Sequence, residues 1–242
     1  AAVDLHPDRI TNIEMGYLFE DLVRRFNEQA NEEAGDHFTP REVIKLMVSV
    51  LFTHDDLVYV PGKVIKIYDP TCGTGGMLSE SEKLIADPDT GLNPQANLEL
   101  FGQEYNPESY AICGSDLMIK GEDVKNIVYG NTLGTGKAKE GFVDGDGHPH
   151  ERFHYMLANP PFGVEWKPEK DNVTKEHNDF GAKGRFAPGL PRINDGSLLF
   201  LLHMIAKMQP SPAQGGEGSR IAVVFNGSPL FSGDAGSGES NI

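Results

Sequence analysis

Between residues 11 and 34, Met15, Leu18, Leu22 and Phe26 recur at helical spacing, and Thr11 with Glu14 has capping-box spacing. The stretch therefore predicts an amphipathic helix. A second helix is expected through "REVIKLMVSVLF", with Thr39 as N-cap, Pro40 at the first helical position and Glu42 closing another capping box. Its periodicity suggests that Val43, Leu46, Met47 and Val50 are the buried positions. From residue 64 the pattern changes to short apolar runs alternating with amphipathic ones. Strands are expected over residues 64–69, 98–104, 126–132, 153–159 and 220–226. Helices are expected through "MLSESEKLIA", "PESYAICGSDLMI" and "GSLLFLLHMIAKM", the last capped by Asp195 or Ser197. Alternation of this kind predicts an α/β fold with a doubly wound, mostly parallel sheet. Residues 134–152 and 163–194 read as two long loops, and loops of that length more often carry function than not.

Composition narrows the class. A chain of 242 residues can bury a substantial core as one domain or one and a half. No apolar run approaches a membrane span, and the start lacks a signal pattern, so no membrane partner is expected. Two cysteines, Cys72 and Cys113, are too few for a disulfide scaffold and lack metal-ligand spacing, which favours a reducing cytoplasm and no metal. The net charge of −15 weighs most. Phosphate neutralisation supplies much of the affinity of a protein that grips nucleic acid alone, and this chain is acidic. If its substrate is DNA, a partner holds the duplex.

Candidate chemistry falls at strand ends, where open α/β sheets bind ligands. "YDPTCGTGGML" places Asp69 at the end of the first strand, before Gly73, Gly75 and Gly76, which allow a tight turn and close approach to a ligand. No Gly-Lys-Ser/Thr follows, so a nucleoside triphosphate is not indicated. Glu104 ends the second strand, where a carboxylate can accept both hydroxyl protons of a ribose. A ribose without polyphosphate fits S-adenosylmethionine. The fourth strand ends in Asn159-Pro160-Pro161-Phe162. An exocyclic amino group on adenine donates hydrogens and is a poor nucleophile. The Asn159 side-chain oxygen and the Pro160 carbonyl could hold both hydrogens and favour a more tetrahedral nitrogen. Phe162 could stack on the base, which must be flipped out of double-stranded DNA to reach such a pocket.

Several other residues read as structural. Asp144, Asp146, His148 and His150 in "DGDGHPH" read as a solvated loop rather than a metal site. Cys72 reads as packing under the glycine-rich loop, Trp166 as loop packing and Asp195 as a cap.

The words "HFTPREVIKLMV", "DPTCGTGGML", "ANPPFG", "DGSLLFLLHMI" and "LFSGDAGSGESNI", in this order over residues 38–242, resemble the modification subunit of type I restriction-modification systems. That family is an adenine-specific DNA methyltransferase dependent on S-adenosylmethionine, with a Rossmann-like methyltransferase fold. The resemblance implies that Phe38, Thr39 and Pro40 help hold the cofactor, as do Asp69, Thr71, Cys72, Gly73, Thr74, Gly75 and Gly76. It implies Glu104 on the ribose, Asn131 on the cofactor's adenine, Asn159 beside the cofactor, and Asn159, Pro160, Pro161 and Phe162 as the catalytic motif. The family carries a larger N-terminal helical domain, of which residues 1–37 would be a remnant. Its sheet continues further, so the methyltransferase domain at 38–242 is expected to be incomplete. Implied partners are a specificity subunit that reads the DNA, a second modification subunit and a restriction subunit that uses ATP. Two other readings stay open. One is methylation of a protein glutamine, although those enzymes typically show tyrosine in place of Phe162 and lack "FTPRE". The other is a catalytically silent subunit that binds cofactor and supports an assembly.

Overall fold

In a strand buried on both faces, successive side chains enter different cores, and the first strand does this. In β1 (Val64–Asp69), Ile65 and Ile67 join one apolar cluster while Tyr68 joins another. β5 (Tyr155–Ala158) repeats the pattern, with Tyr155 and Leu157 on one face and Met156 and Ala158 on the other. Such strands need helices on both sides. The computed structural model describes residues 39–137 and 139–225, with scattered residues between 6 and 25 and Ile242.

Within it, β1, β2 (Asn97–Glu104), β3 (Ile127–Asn131), β4 (Val143–Asp144), β5 and β6 (Arg220–Val223) form one sheet in the order β4-β3-β2-β1-β5-β6. Every pairing is parallel. Helices α1 (Arg41–Phe52), α2 (Gly76–Ala86) and α3 (Pro107–Lys120) supply buried side chains to one face. Helix α5 (Ser197–Ala206) supplies Met204 to the other. α4 (Lys170–Phe180) lies with a third cluster that includes Trp166, Val173 and Phe186. The chain runs outward from β1 to β4 on one side, then returns to place β5 on β1's other edge. That reversal between β1 and β5 is the switch point at which such sheets bind ligands.

Several expectations change. The residue 11–34 helix is met only in part: Thr11 and Glu14 form the capping box and described residues from Glu14 to Arg25 are helical. The rest of that stretch, Phe38 and residues 226–241 lie outside the described residues. Helix α1 starts at Arg41, with Pro40 rather than Thr39 at its N-cap and no side-chain cap. It buries Ile44, Val48, Leu51 and Phe52, whereas Leu46 and Val50 are 64% and 69% exposed. The helix is apolar around most of its circumference, so periodicity could not select the face that meets the sheet. The residue 134–152 loop contains β4, and the residue 163–194 loop contains α4. At α5 the N-cap is Gly196, though the Asp195 carboxylate still accepts from the Ser197 N–H at 3.0 Å.

The "DGDGHPH" loop is not simply solvated. Asp146 pairs with the Lys207 ammonium at 2.7 Å, and Lys207 also donates to the His148 carbonyl. His148 is buried, and its Nε2–H donates to the Gly102 carbonyl at 3.1 Å. The buried Lys207 ammonium, just past the end of α5, thus draws this loop inward. Among the described residues no group of His, Cys, Asp or Glu could hold a metal ion, and no helix is long and apolar enough to cross a membrane.

Candidate active site

The first wall of the site is the turn after β1. The Asp69 carboxylate accepts from the Thr71 N–H at 2.9 Å, which bends the chain back over the strand end. Gly73 and Gly75 have φ of 54° and 86°, in the left-handed region that glycine enters without strain. At Gly75 a Cβ would also lie 2.8 Å from Cys113 Sγ, so a side chain is excluded there by space as well. Cys72 and Cys113 are buried free thiols beneath this loop. Their packing holds the loop down on α3.

Glu104 stands beside the loop. Its Oε2 accepts from the Gly73 N–H and its Oε1 from the Asn106 N–H, each at 2.7 Å. The two strand ends named from sequence therefore meet through a direct hydrogen bond. Burial raises both carboxyls: Asp69 reaches about 7, pushed further by the negative charge of Glu104 and opposed by the Thr71 hydrogen bonds. Glu104 is likewise raised by burial, against the backbone N–H groups that favour its anion. Such a cradle has uncompensated need for positive charge and hydroxyl donors. It fits the sulfonium, ammonium and ribose hydroxyls of S-adenosylmethionine and would repel a polyphosphate.

Asn131 closes the side toward β3. Its Oδ1 accepts from the N–H groups of Leu133 and Gly134, and its Nδ2 donates to Glu169 Oε1 at 2.8 Å. These bonds leave one Nδ2 hydrogen for a ligand. The residues around it come from the residue 163–194 segment, which sequence pattern marked as a long loop without marking its helix α4. Arg185 is its anchor: the guanidinium pairs with Glu176 at 2.7 Å and donates to the carbonyls of Thr132 and Leu133 at the end of β3. It also lies 3.2 Å from His203 Nδ1. Guanidinium can only donate, so Nδ1 accepts and the Nε2–H points at the Tyr68 hydroxyl, 3.1 Å away. Burial, then the Arg185 charge, depresses His203 to about 3, which keeps it neutral. Arg185→Ala strands the Glu176 carboxylate and should lower stability by roughly 3 kcal/mol in urea unfolding, with Glu176→Gln recovering part of the loss. No periodic signal could have flagged Arg185, because its carbonyl partners lie more than fifty residues earlier.

The second wall is the end of β5. Tyr68 pairs with Met156, so β1 and β5 deliver Asp69 and Asn159 to the same carboxyl edge. Pro160 is buried, Pro161 exposed and Phe162 half-buried. The Asn159 amide donates from Nδ2 to Thr39 Oγ1 at 2.7 Å. Its Oδ1 is buried and has no hydrogen-bond partner, one of three such atoms among the described residues. An orphaned acceptor costs about 1–3 kcal/mol, and such atoms are expected where a ligand completes them. Thr39, expected from sequence to hold cofactor, thus meets Asn159 of the expected catalytic motif directly. Arg41 pairs with Glu80 at 2.6 Å and seats the start of α1 on α2. The remaining sequence-predicted loop residues, Thr74 and Gly76, lie in the same turn; Gly76 opens α2.

Comparison with known proteins follows the same lines. The model of the family described as N-6 DNA Methylase matches residues 12–240. The chain is similar to the type I restriction enzyme HindI methylase subunit of Haemophilus influenzae, 24% identical over 81% of this chain and 38% of that protein. It is similar to the MpnII methylase subunit of Mycoplasma pneumoniae, 25% identical over 88% of this chain and 35% of that one. The chain therefore spans little more than a third of the length of these curated relatives. Among solved structures it resembles the type I restriction-modification system methyltransferase subunit of Streptococcus thermophilus. That likeness has a TM-score of 0.61 at 22% identity, over 86% of this chain and 37% of the other. The fold is accordingly the Rossmann-like methyltransferase fold.

Proposed function

The chain belongs to the N-6 DNA methylase family, and from that premise we propose that it transfers a methyl group from S-adenosylmethionine to the exocyclic amino group of an adenine flipped out of double-stranded DNA. It would do so as the modification subunit of a type I restriction-modification system. The observation that carries this reading is the buried, unpartnered Asn159 Oδ1 beside an acidic cradle at the sheet's switch point.

S-adenosylmethionine supplies a methyl group already activated as a sulfonium. The protein's work is positioning. Glu104 accepts from the ribose hydroxyls, and the turn from Asp69 to Gly76, with Thr71, Cys72 and Thr74, shapes the floor; Thr39, Pro40 and Asn131 complete the cofactor walls. Asn159 Oδ1 and the Pro160 carbonyl would accept the two amino hydrogens of adenine, drawing nitrogen toward tetrahedral geometry and freeing its lone pair for in-line attack. As the nitrogen–carbon bond forms the carbon–sulfur bond breaks, the neutral thioether leaves, and the surplus proton on nitrogen passes to solvent. Pro161 stiffens the turn, and Phe162 offers a stacking face. Nothing here requires a covalent link to the protein. The net charge of −15 supports delivery of DNA by a companion, in this reading a specificity subunit with a second modification subunit; a restriction subunit would use the same assembly.

The test is methyl transfer by the full-length protein, with and without its companion subunits, using labelled cofactor and duplex DNA. Label recovered as N6-methyladenine after nuclease digestion is the expected outcome. Label in protein glutamine would point to the rival enzyme. Cofactor binding with no transfer to any substrate would favour the silent subunit.

A further inference from the structure

Thr39 is the residue that an N-cap preference assigns to α1, yet α1 has no side-chain cap. Its hydroxyl is engaged 120 positions along the chain, where Asn159 Nδ2 donates to Thr39 Oγ1 at 2.7 Å. That bond uses the amide's donor side and leaves Oδ1 buried without a partner. We propose that Thr39 is a positioning residue for catalysis: its hydroxyl anchors the Asn159 amide through Nδ2 and so fixes where Oδ1 meets the substrate's amino group. This rests on the methyl-transfer reading above and adds a role for Thr39 distinct from holding cofactor.

The chemistry is that of a two-faced group. A carboxamide carries an acceptor on one arm and two donors on the other. An exocyclic amino group has hydrogens to give, so it is bound by the oxygen arm and repelled by the nitrogen arm. Rotation by 180° about the last side-chain torsion interchanges the two at nearly constant shape, so packing alone does not choose between them. A hydrogen bond to one arm does fix the plane and depth of the other, and in this structure Thr39 Oγ1 accepts from the nitrogen arm while the oxygen arm is buried without a partner. Thr39 is well placed for this because its support is rigid. Only Pro40 separates it from α1, whose Ile44, Val48, Leu51 and Phe52 are in the core and whose Arg41 is paired with Glu80. The arrangement also ties the cofactor wall to the catalytic turn, so a shift of one is felt by the other.

Two measurements test it. In the ligand-free chain, the side-chain amide resonance of Asn159 is identified by its loss in Asn159→Ala. Its exchange with solvent should be slow in the wild type, about tenfold faster in Thr39→Val, and slow again in Thr39→Ser. In the full-length protein with its companion subunits, Thr39→Val should lower kcat by about 10- to 100-fold. KM for S-adenosylmethionine should stay within about threefold, and Thr39→Ser should restore kcat.

Unchanged amide exchange or unchanged kcat in Thr39→Val overturns the proposal. So does a loss of cofactor binding that Thr39→Ser fails to restore, since that describes a cofactor contact or a folding role. If Thr39→Val does not fold, Thr39→Ala set against Thr39→Ser carries the same comparison. A wild type that makes no N6-methyladenine defeats the methyl-transfer reading instead, and the exchange measurement still decides whether Thr39 orients the amide.

Discussion

Asn159→Ala in the full-length protein should lower the rate of methyl transfer to adenine by at least about 10²-fold, the usual cost of removing one preorganised polar group from a reacting centre. Stability and cofactor affinity should scarcely move. The substitution forfeits one side-chain hydrogen bond, to Thr39, worth about 1 kcal/mol. It also removes a buried oxygen that has no partner in the ligand-free protein, and that relief is of similar size and opposite sign. Thermal unfolding should therefore stay within a few degrees of the wild type for a domain of this size. The Asp69–Gly73–Glu104 cradle is built without Asn159, so cofactor titration should give a dissociation constant within about threefold, under 1 kcal/mol. Undiminished methylation in this variant would sink the mechanism. A collapse of stability would mean that the amide is structural.

Asp69→Asn should do the reverse, strengthening the fold while weakening the site. The Asp69 side chain is almost wholly buried, and burial, with Glu104 nearby, raises its carboxyl to about 7. The unfolded chain ionises the same group near pH 4. Between those limits the folded state holds a proton that the unfolded state has released. Stability contributed by Asp69 is therefore full below about pH 4 and is lost as pH rises to about 7, by an amount on the order of 4 kcal/mol. Asparagine keeps an oxygen for the Thr71 N–H and cannot ionise, so this loss disappears. Buried histidines confound a single curve: burial lowers the pKa of His203, His148 and His154, and each contributes stability that grows as pH rises. The difference between variant and wild type cancels them. Urea unfolding should show Asp69→Asn close to wild type at pH 5 and clearly more stable at pH 8. Cofactor affinity should move the other way, rising through pH 7 in the wild type and staying weak and flat in the variant. A stability difference that is the same at both pH values rules out the buried carboxyl as its source.

How much of the site was legible depends on whether a residue's role is local. Asp69, Gly73 and Gly75 announce a tight turn because the chemistry of that turn lies within seven residues. Glu104 needed only the rule that strand ends carry ligands, and in the structure it accepts a hydrogen bond from Gly73. The role of Arg185 was not legible, because Glu176 nine residues earlier stands at no recognisable spacing from it and its other partners are carbonyls at the end of β3, more than fifty residues away. Thr39 was misread as a helix cap for a related reason. Its spacing to Glu42 satisfies the local rule, and the competing partner, Asn159, is supplied by a strand far along the chain. Asp146 and His148 resemble loop residues until Lys207, at the end of α5, is brought beside them.

By itself, then, the sequence determined the alternation of strands and helices, the turn after β1 and the reactive words at strand ends, since each is a matter of period or of short-range sterics. Tertiary structure decided the rest. It placed β5 against β1 rather than at an outer edge, and so brought Asn159 to Asp69. It chose which apolar face of α1 meets the sheet, and it drew α4 over the end of β3. It also set the Asn159 amide against Thr39, leaving one oxygen turned inward. These outcomes rest on which distant surfaces bury one another most fully, and a local pattern is compatible with more than one such pairing.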